Sequence, residues 1–230
     1  MSHSCVILSY IAKRVKGDMM NILVIGANGR VGQKLIENLS NQNHDVIAGS
    51  RHPEQLVTLK KVKSLQFDLH DDVDVLSQKL QDIDVIYFVA GSRGKDLLQT
   101  DAFGAVKVMM IAEKLGISRF VMLSSSYSLE PEKWQSPDMQ ALLDYNIAKF
   151  FADNYLINQI NLDYTILQAT ALIDGPATGN IAINEASESQ NTIGNVAMVL
   201  AAIINHESTS KKVIRMSDGG TSIDAALSSL

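Results

Sequence analysis

Residues 21–32 read NILVIGANGRVG, and this stretch decides the fold. The apolar run over residues 21–26 ends in glycine, as a short buried strand does. Over residues 30–39, Val31, Leu35 and Leu39 recur at helical spacing. Between strand and helix stand Gly26, Gly29 and Gly32, spaced GxxGxxG rather than GxGxxG. In such a turn the first glycine permits the tight exit from the strand, and the second lets a pyrophosphate approach the backbone. The third lets helix and strand pack closely. The first turn of a helix offers unpaired N–H groups and a partial positive charge to phosphate. Glycines also serve bare structural turns, so the strand–turn–helix context is what favours a nucleotide here. Gly26, Asn28, Gly29, Arg30, Val31 and Gly32 are the candidate residues of that loop.

Outward from this unit, strands and helices alternate. Further strands are expected at residues 44–49, 62–67, 85–90, 119–123, 164–167 and 213–216. Helices are expected from Pro53 through Leu59, around Val73, Leu76 and Leu80, and over 102–115, 139–158, 196–204 and 223–230, with Gly116 closing the helix before it. Alternation of this kind implies right-handed crossovers and a parallel sheet covered on both faces. Uniformly apolar strands such as VIYFVA at 85–90 agree with burial on both faces. The expected fold class is α/β, a doubly wound parallel sheet in three α/β/α layers with a small C-terminal substrate-side region. The polar stretch 175–194 is the candidate mobile lid.

Composition narrows the function classes. The chain has 230 residues, enough for one large α/β domain, with 46% hydrophobic and 20% charged residues. A formal net charge of −5 and no basic run disfavour nucleic acid, which requires a basic face. The lone Cys5 forms no internal disulfide, and the five histidines lack ligand spacing, so neither a disulfide framework nor a metal is expected. No apolar run approaches the roughly 20 residues of a membrane span. A cytoplasmic protein with a small-molecule substrate, as monomer or homodimer, is the resulting expectation. Residues 1–19 differ in character from the rest of the chain and are read as an N-terminal extension before a single domain over 20–230. Either translation starts at Met19 or Met20, or a real N-terminal helix packs on the domain; the intact mass of the native protein separates the two.

The second strand ends in Ala48-Gly49-Ser50-Arg51. NAD-preferring sites carry an acidic residue about 20 positions beyond the glycines to bind the ribose 2′-hydroxyl. Here Ser50 and Arg51 stand instead, with Arg30 in the glycine loop, and a guanidinium can pair bidentately with a 2′-phosphate. NADP(H) is therefore the preferred cofactor and NAD(H) the alternative; a solvated Arg51 is the plain structural reading. Asp68 and Leu69 follow the third strand, where a carboxylate either accepts the adenine amino proton or caps the next helix. Ala90, Gly91 and Ser92 end the fourth strand, and their small size lets a ribose and nicotinamide lie against the backbone.

Ser124, Ser125 and Ser126 end the fifth strand, and Tyr145 and Lys149 stand four apart on one helical face. Ligands of open α/β sheets bind beyond the carboxyl ends of the strands, which brings these groups and the glycine loop into one crevice. An ammonium beside Tyr145, with a positive nicotinamide, is expected to lower its pKa from about 10 and let it exchange a proton with a substrate oxygen. Serine would hydrogen-bond the same oxygen, Ser124 would lie on the cofactor side, and Lys149 would also reach the nicotinamide ribose. Trp134 either lines the substrate mouth or packs on the helix.

Taken together, these residues resemble the short-chain dehydrogenase/reductase superfamily, and its atypical NAD(P)-binding branch in particular. That branch includes NmrA-like and biliverdin reductase B/flavin reductase types. The resemblance covers residues 21–230 and includes DAFG at 101–104, RFVMLSS at 119–125, LDYTIL at 162–167 and SDGGTSI at 217–223. It implies a Rossmann-type fold, with Ser126 as the catalytic serine, Ser125 as the alternative, and Tyr145 and Lys149 as partners. The chain departs from many relatives at Gln168-Ala169, where Arg-Pro is common, at Asn195, where an aspartate is common, and at Asp101, where classical members carry an asparagine. The resemblance implies an NADPH-dependent oxidoreductase acting on a small carbonyl, quinone or flavin with Tyr145 as acid/base. The alternatives are a nucleotide-sugar epimerase or dehydratase and a non-catalytic NADP(H)-sensing regulator.

Overall fold

The computed structural model describes residues 19–185 and 190–230. The reading of an N-terminal extension falls almost wholly outside them. Strand β1 (Asn21–Ile25) leads into helix α1 (Arg30–Asn41), followed by β2 (Asp45–Ser50), β3 (Val62–Gln66), α2 (Val73–Lys79) and β4 (Val85–Phe88). A π-helical turn, Leu97–Ala102, then opens α3 (Phe103–Leu115), and β5 (Arg119–Ser125), α4 (Pro137–Gln140), α5 (Leu143–Asn158) and β6 (Asp163–Ala169) follow. The rest comprises β7 (Leu172–Ile173), β8 (Asn180–Ile183), β9 (Asn191–Thr192), α6 (Ile193–Ile203), β10 (Lys212–Asp218), β11 (Thr221–Ser222) and α7 (Ile223–Ser228).

The main sheet runs β11-β8-β10-β6-β5-β4-β1-β2-β3. From β3 through β10 every pair is parallel, while β8 pairs antiparallel with both β10 and β11 at one edge. The chain moves outward from β1 to β2 and β3, then crosses back to β4 on the other side of β1. The order therefore reverses between β1 and β4, which is where open α/β sheets hold their ligands.

Apolar strands make this sheet possible because both faces are covered. On one face α1 and α6 bury Leu35, Ile36, Val196 and Leu200 against Ile22, Val24 and Tyr87. On the other, α2, α3 and α5 bury Leu76, Val108, Met109, Ala152 and Leu156 against Leu23, Ile86, Phe120 and Met122. The Tyr87 hydroxyl, fully buried, donates to the Leu200 carbonyl at 2.9 Å and ties β4 to α6. Gly116, at φ 75°, ends α3 in the left-handed region, and its N–H donates to the carbonyls of Ala112 and Glu113.

Several elements differ from the sequence expectation. Pro53 opens only a 3-10 turn, Pro53–Gln55, because the segment buries no residue that would hold a longer helix on the sheet. The long helix expected at 139–158 is two helices. α4 buries nothing, whereas α5 is held by buried Ala148, Lys149, Ala152 and Leu156. The stretch 175–194 is not a plain loop: it contains β8 and β9, and Ile181 is fully buried where β8 joins the sheet. No helix among the described residues is long and apolar enough to cross a membrane.

Candidate functional site

Two of the three glycines are fixed by packing and the third is only lightly hemmed in. At Gly26 φ is +94°, and a Cβ would lie 2.6 Å from the Cα of Ala90, two residues beyond the end of the neighbouring β4. At Gly32 a Cβ would lie 2.3 Å from the Gly26 carbonyl oxygen. At Gly29 the one close neighbour is that same oxygen at 3.1 Å. The N–H groups of Gly26 and Ala27 both donate to the Gly49 carbonyl at 3.1 Å, so the turn is pinned to the end of β2. Gly29 caps α1 with no side-chain hydrogen bond, and no acid stands in the helix's first turn. Asn28 Nδ2 donates to the His52 carbonyl at 2.7 Å, while its buried Oδ1 has no partner. The lightly packed backbone at Gly29 and the helix start without a side-chain cap fit a nucleotide pyrophosphate, whereas the Asn28 oxygen, an acceptor, can pair only with a donor such as a hydroxyl.

The neighbouring strand ends add the rest of the crevice. Ser50 is buried and accepts from the His52 N–H at 3.0 Å, whereas Arg51 is exposed. Arg30, also exposed, lies 3.8 Å from Asp174. Asp68 does not cap α2, whose N-cap is Asp72; it accepts from the His70 backbone at 3.0 Å and faces the His70 ring at 2.9 Å. Burial pushes the Asp68 carboxyl up, but the His70 N–H and ring, with Arg51, bring it below the usual range. Leu69 is buried against Gly104, and its carbonyl accepts from Lys107 Nζ at 2.5 Å. Ala90 closes on Gly26, Gly91 is exposed, and the Ser92 N–H donates to Asp101 Oδ2 at 3.0 Å with its own buried hydroxyl unpartnered.

Helix α5 carries the next layer. Lys149 is 2% exposed; its Nζ lies 3.8 Å from Asp101 Oδ1, 3.4 Å from the Leu123 carbonyl and 5.7 Å from the Tyr145 ring centroid. Asp101 reaches it because the π-helical turn before α3 folds this carboxylate, fully buried, toward α5. Burial raises the Tyr145 phenol; Lys149 offsets this in part, and Asp101 and Asp153 add to it. The expectation of a lowered phenol is therefore corrected for the protein without nucleotide: removal from water outweighs one ammonium.

The three serines part company. Ser124 turns inward and donates to Asp153 Oδ2 at 2.6 Å. Ser125 is half-buried beside Ala169 in the sheet register. Ser126 is buried with an unpartnered hydroxyl, and its N–H donates to the Ala169 carbonyl at 2.9 Å. Ser128 also donates to Asp153, at 2.5 Å, and accepts from Gln168 Nε2 at 2.8 Å. Sequence reasoning missed Asp153 and Ser128. Asp153 stands four beyond Lys149, so carrying the Tyr-Lys spacing one turn further would have found it.

Trp134 packs rather than faces solvent: it is edge-on to Phe150 at 6.1 Å and donates from Nε1 to the Tyr127 carbonyl at 2.8 Å. Asn195, fully buried, accepts from the Gly179 N–H and donates to Thr178, Asn180 and Asp218, organising the turn before β8. His52 and His70 are exposed, and no group of three His, Cys, Asp or Glu among the described residues could hold a metal.

Known proteins share this architecture. The oxidoreductase ylbE from Lactococcus lactis is 44% identical with a TM-score of 0.89, over 92% of this chain and 96% of that one. The uncharacterized sugar epimerase YhfK of Bacillus subtilis is 29% identical over 219 residues, covering 92% of this chain and all of that protein. A short-chain dehydrogenases/reductase from Veillonella parvula, solved in complex with NADP, shares the fold with a TM-score of 0.70 at 18% identity, over 89% of this chain and 97% of its own. Residues 26–207 match the family model described as NAD(P)H-binding. With its glycine turn at the switch point of a doubly wound sheet and a family match spanning most of its length, the chain belongs to the NAD(P)H-binding family.

Proposed function

We propose that this protein is an NADPH-dependent oxidoreductase that reduces a small carbonyl, quinone or flavin, with Tyr145 as proton donor and one domain over residues 20–230 carrying the whole site. The observation that carries this reading is the pairing of half-buried Tyr145 with buried Lys149 on α5, packed against β5, whose end leads into the unpartnered Ser126 hydroxyl. Bound NADPH would supply the hydride. The turn 26–32 and the start of α1 would hold its pyrophosphate, and Arg51, with Arg30 and Ser50, its 2′-phosphate. Asp68 and Leu69 would meet the adenine, and Ala90, Gly91 and Ser92 the ribose and nicotinamide.

Ser126, with Ser125 as the alternative, would donate to the substrate oxygen and orient it. Tyr145, kept as a phenol by its burial, would give that oxygen its proton as the carbon is reduced, and solvent would restore it. Lys149 would stabilise the phenolate left behind and bind ribose hydroxyls. The similarity to a sugar epimerase supports a second reading, in which nucleotide stays bound through turnover; purified protein would then carry it.

The test is calorimetric titration with NADPH and NADH, then a panel of quinones, flavins and aldehydes offered to the NADPH complex. Turnover abolished by Tyr145→Phe supports the proposal. Tight binding without turnover on any compound refutes it and favours an NADP(H)-sensing regulator.

A further inference from the structure

Behind the Tyr145–Lys149 pair lies a carboxylate that the proposed reaction does not use. Asp153 is fully buried on α5, one turn beyond Lys149 and two beyond Tyr145. Its Oδ2 accepts from the Ser124 hydroxyl at 2.6 Å and the Ser128 hydroxyl at 2.5 Å, and its buried Oδ1 has no partner. Gln168 on β6 completes the network by donating to Ser128 at 2.8 Å. Its contacts thus span the helix, the end of β5 and the turn beyond it, with β6 joined through Ser128.

We propose that Asp153 is a positioning residue: it clamps α5 to the carboxyl end of β5 and holds a negative charge behind the Tyr145–Lys149 pair, which adds to burial in disfavouring a phenolate at Tyr145. This rests on the reading of Tyr145 as proton donor. The clamp matters geometrically because Ser126 leaves β5 two residues beyond Ser124, while Tyr145 lies about 12 Å up the helix from Asp153. Fixing the helix along the strand therefore fixes the gap a substrate oxygen must bridge. The charge matters because one ammonium, Lys149, faces two carboxylates, Asp101 from the π-helical turn and Asp153 from its own helix. Among the described residues the charged groups that act on Tyr145 are these three, and both carboxylates oppose a phenolate there. Ser124, Ser128 and Gln168, facing Asp153 from β5, the following turn and β6, are neutral.

The experiment is NMR of protein labelled with 13Cζ-tyrosine, free of nucleotide, with the Tyr145 signal assigned by its loss in Tyr145→Phe. Burial pushes the Asp153 carboxyl up to about 6 against the pull of its two serine donors and Lys149. The wild-type Tyr145 shift should therefore inflect between about pH 5 and 7. Asp153→Asn should lose that inflection and lower the midpoint of Tyr145 itself. Ser128→Ala, which keeps the carboxylate and removes one donor, should move the inflection upward, so a poorly folding Asp153→Asn does not rescue the idea. A flat wild-type profile, or an unchanged Tyr145 midpoint in folded Asp153→Asn, overturns the proposal. These titrations are read without NADPH, so absent turnover in the wild type would refute the reductase reading alone.

Discussion

Replacing Gly32 by alanine tests whether the glycine turn is built by packing, and replacing Gly29 tests whether it is built for a ligand. A Cβ on Gly32 would sit 2.3 Å from the Gly26 oxygen, 2.9 Å from the Ala27 Cα and 3.0 Å from its carbonyl carbon, where ordinary contact begins at 3.4 Å. All three are backbone atoms of the turn, so α1 must move off β1 by about an ångström at its first turn. Overpacking of this kind costs about 1–3 kcal/mol, or about 2–12 °C in Tm for a chain of this size. Gly29 has φ −68° and ψ 160°, which alanine adopts freely, and its single close neighbour is at 3.1 Å. Gly29→Ala should melt within about 2 °C of wild type yet bind NADPH at least about tenfold more weakly, because its methyl would stand where the proposed site brings the pyrophosphate. Circular dichroism melts without nucleotide, followed by NADPH calorimetry, measure both. A Gly32→Ala protein as stable as wild type, or a Gly29→Ala protein that binds NADPH undiminished, would overturn this account of the turn.

Three further outcomes are expected. Arg51→Ala should weaken NADPH by about tenfold to a hundredfold and leave NADH within about twofold, since the proposed charge-assisted contact to the 2′-phosphate would be lost; equal losses for both nucleotides by calorimetry would remove Arg51 from cofactor choice. The Asp153 carboxyl sits at about 6 against an ordinary 3.8, so the folded state holds its proton longer than the unfolded state. Its contribution to stability is therefore greatest below about pH 4 and falls by about 3 kcal/mol as the pH rises through about 6. Urea unfolding of wild type and Asp153→Asn at pH 4.5 and 7 should show the wild type losing ground to the variant at the higher pH, and parallel curves would contradict this. Tyr87→Phe deletes the buried hydrogen bond to the Leu200 carbonyl and should cost about 1 kcal/mol, read as a drop of about 2–4 °C in Tm.

Local patterns made much of this protein legible in its sequence. Residues 21–32 read as strand, turn and helix because the glycines and the 3.6-residue recurrence of Val31, Leu35 and Leu39 act within a dozen positions. The alternation of apolar strands with helices then implied the doubly wound sheet, and the spacing of Tyr145 and Lys149 placed them on one helical face. Contacts distant in sequence decided the rest. The stretch 180–183 is a strand only because β10 is there to pair with it and bury Ile181. Asp101 reaches Lys149 only because the π-helical turn ahead of α3 directs it across the crevice. Of three consecutive serines, Ser124 is committed to Asp153, 29 positions away, while the Ser126 hydroxyl is left free, a distinction no local pattern contains. Burial, likewise a property of the assembled fold, raises the Tyr145 phenol that its lysine neighbour alone would have lowered.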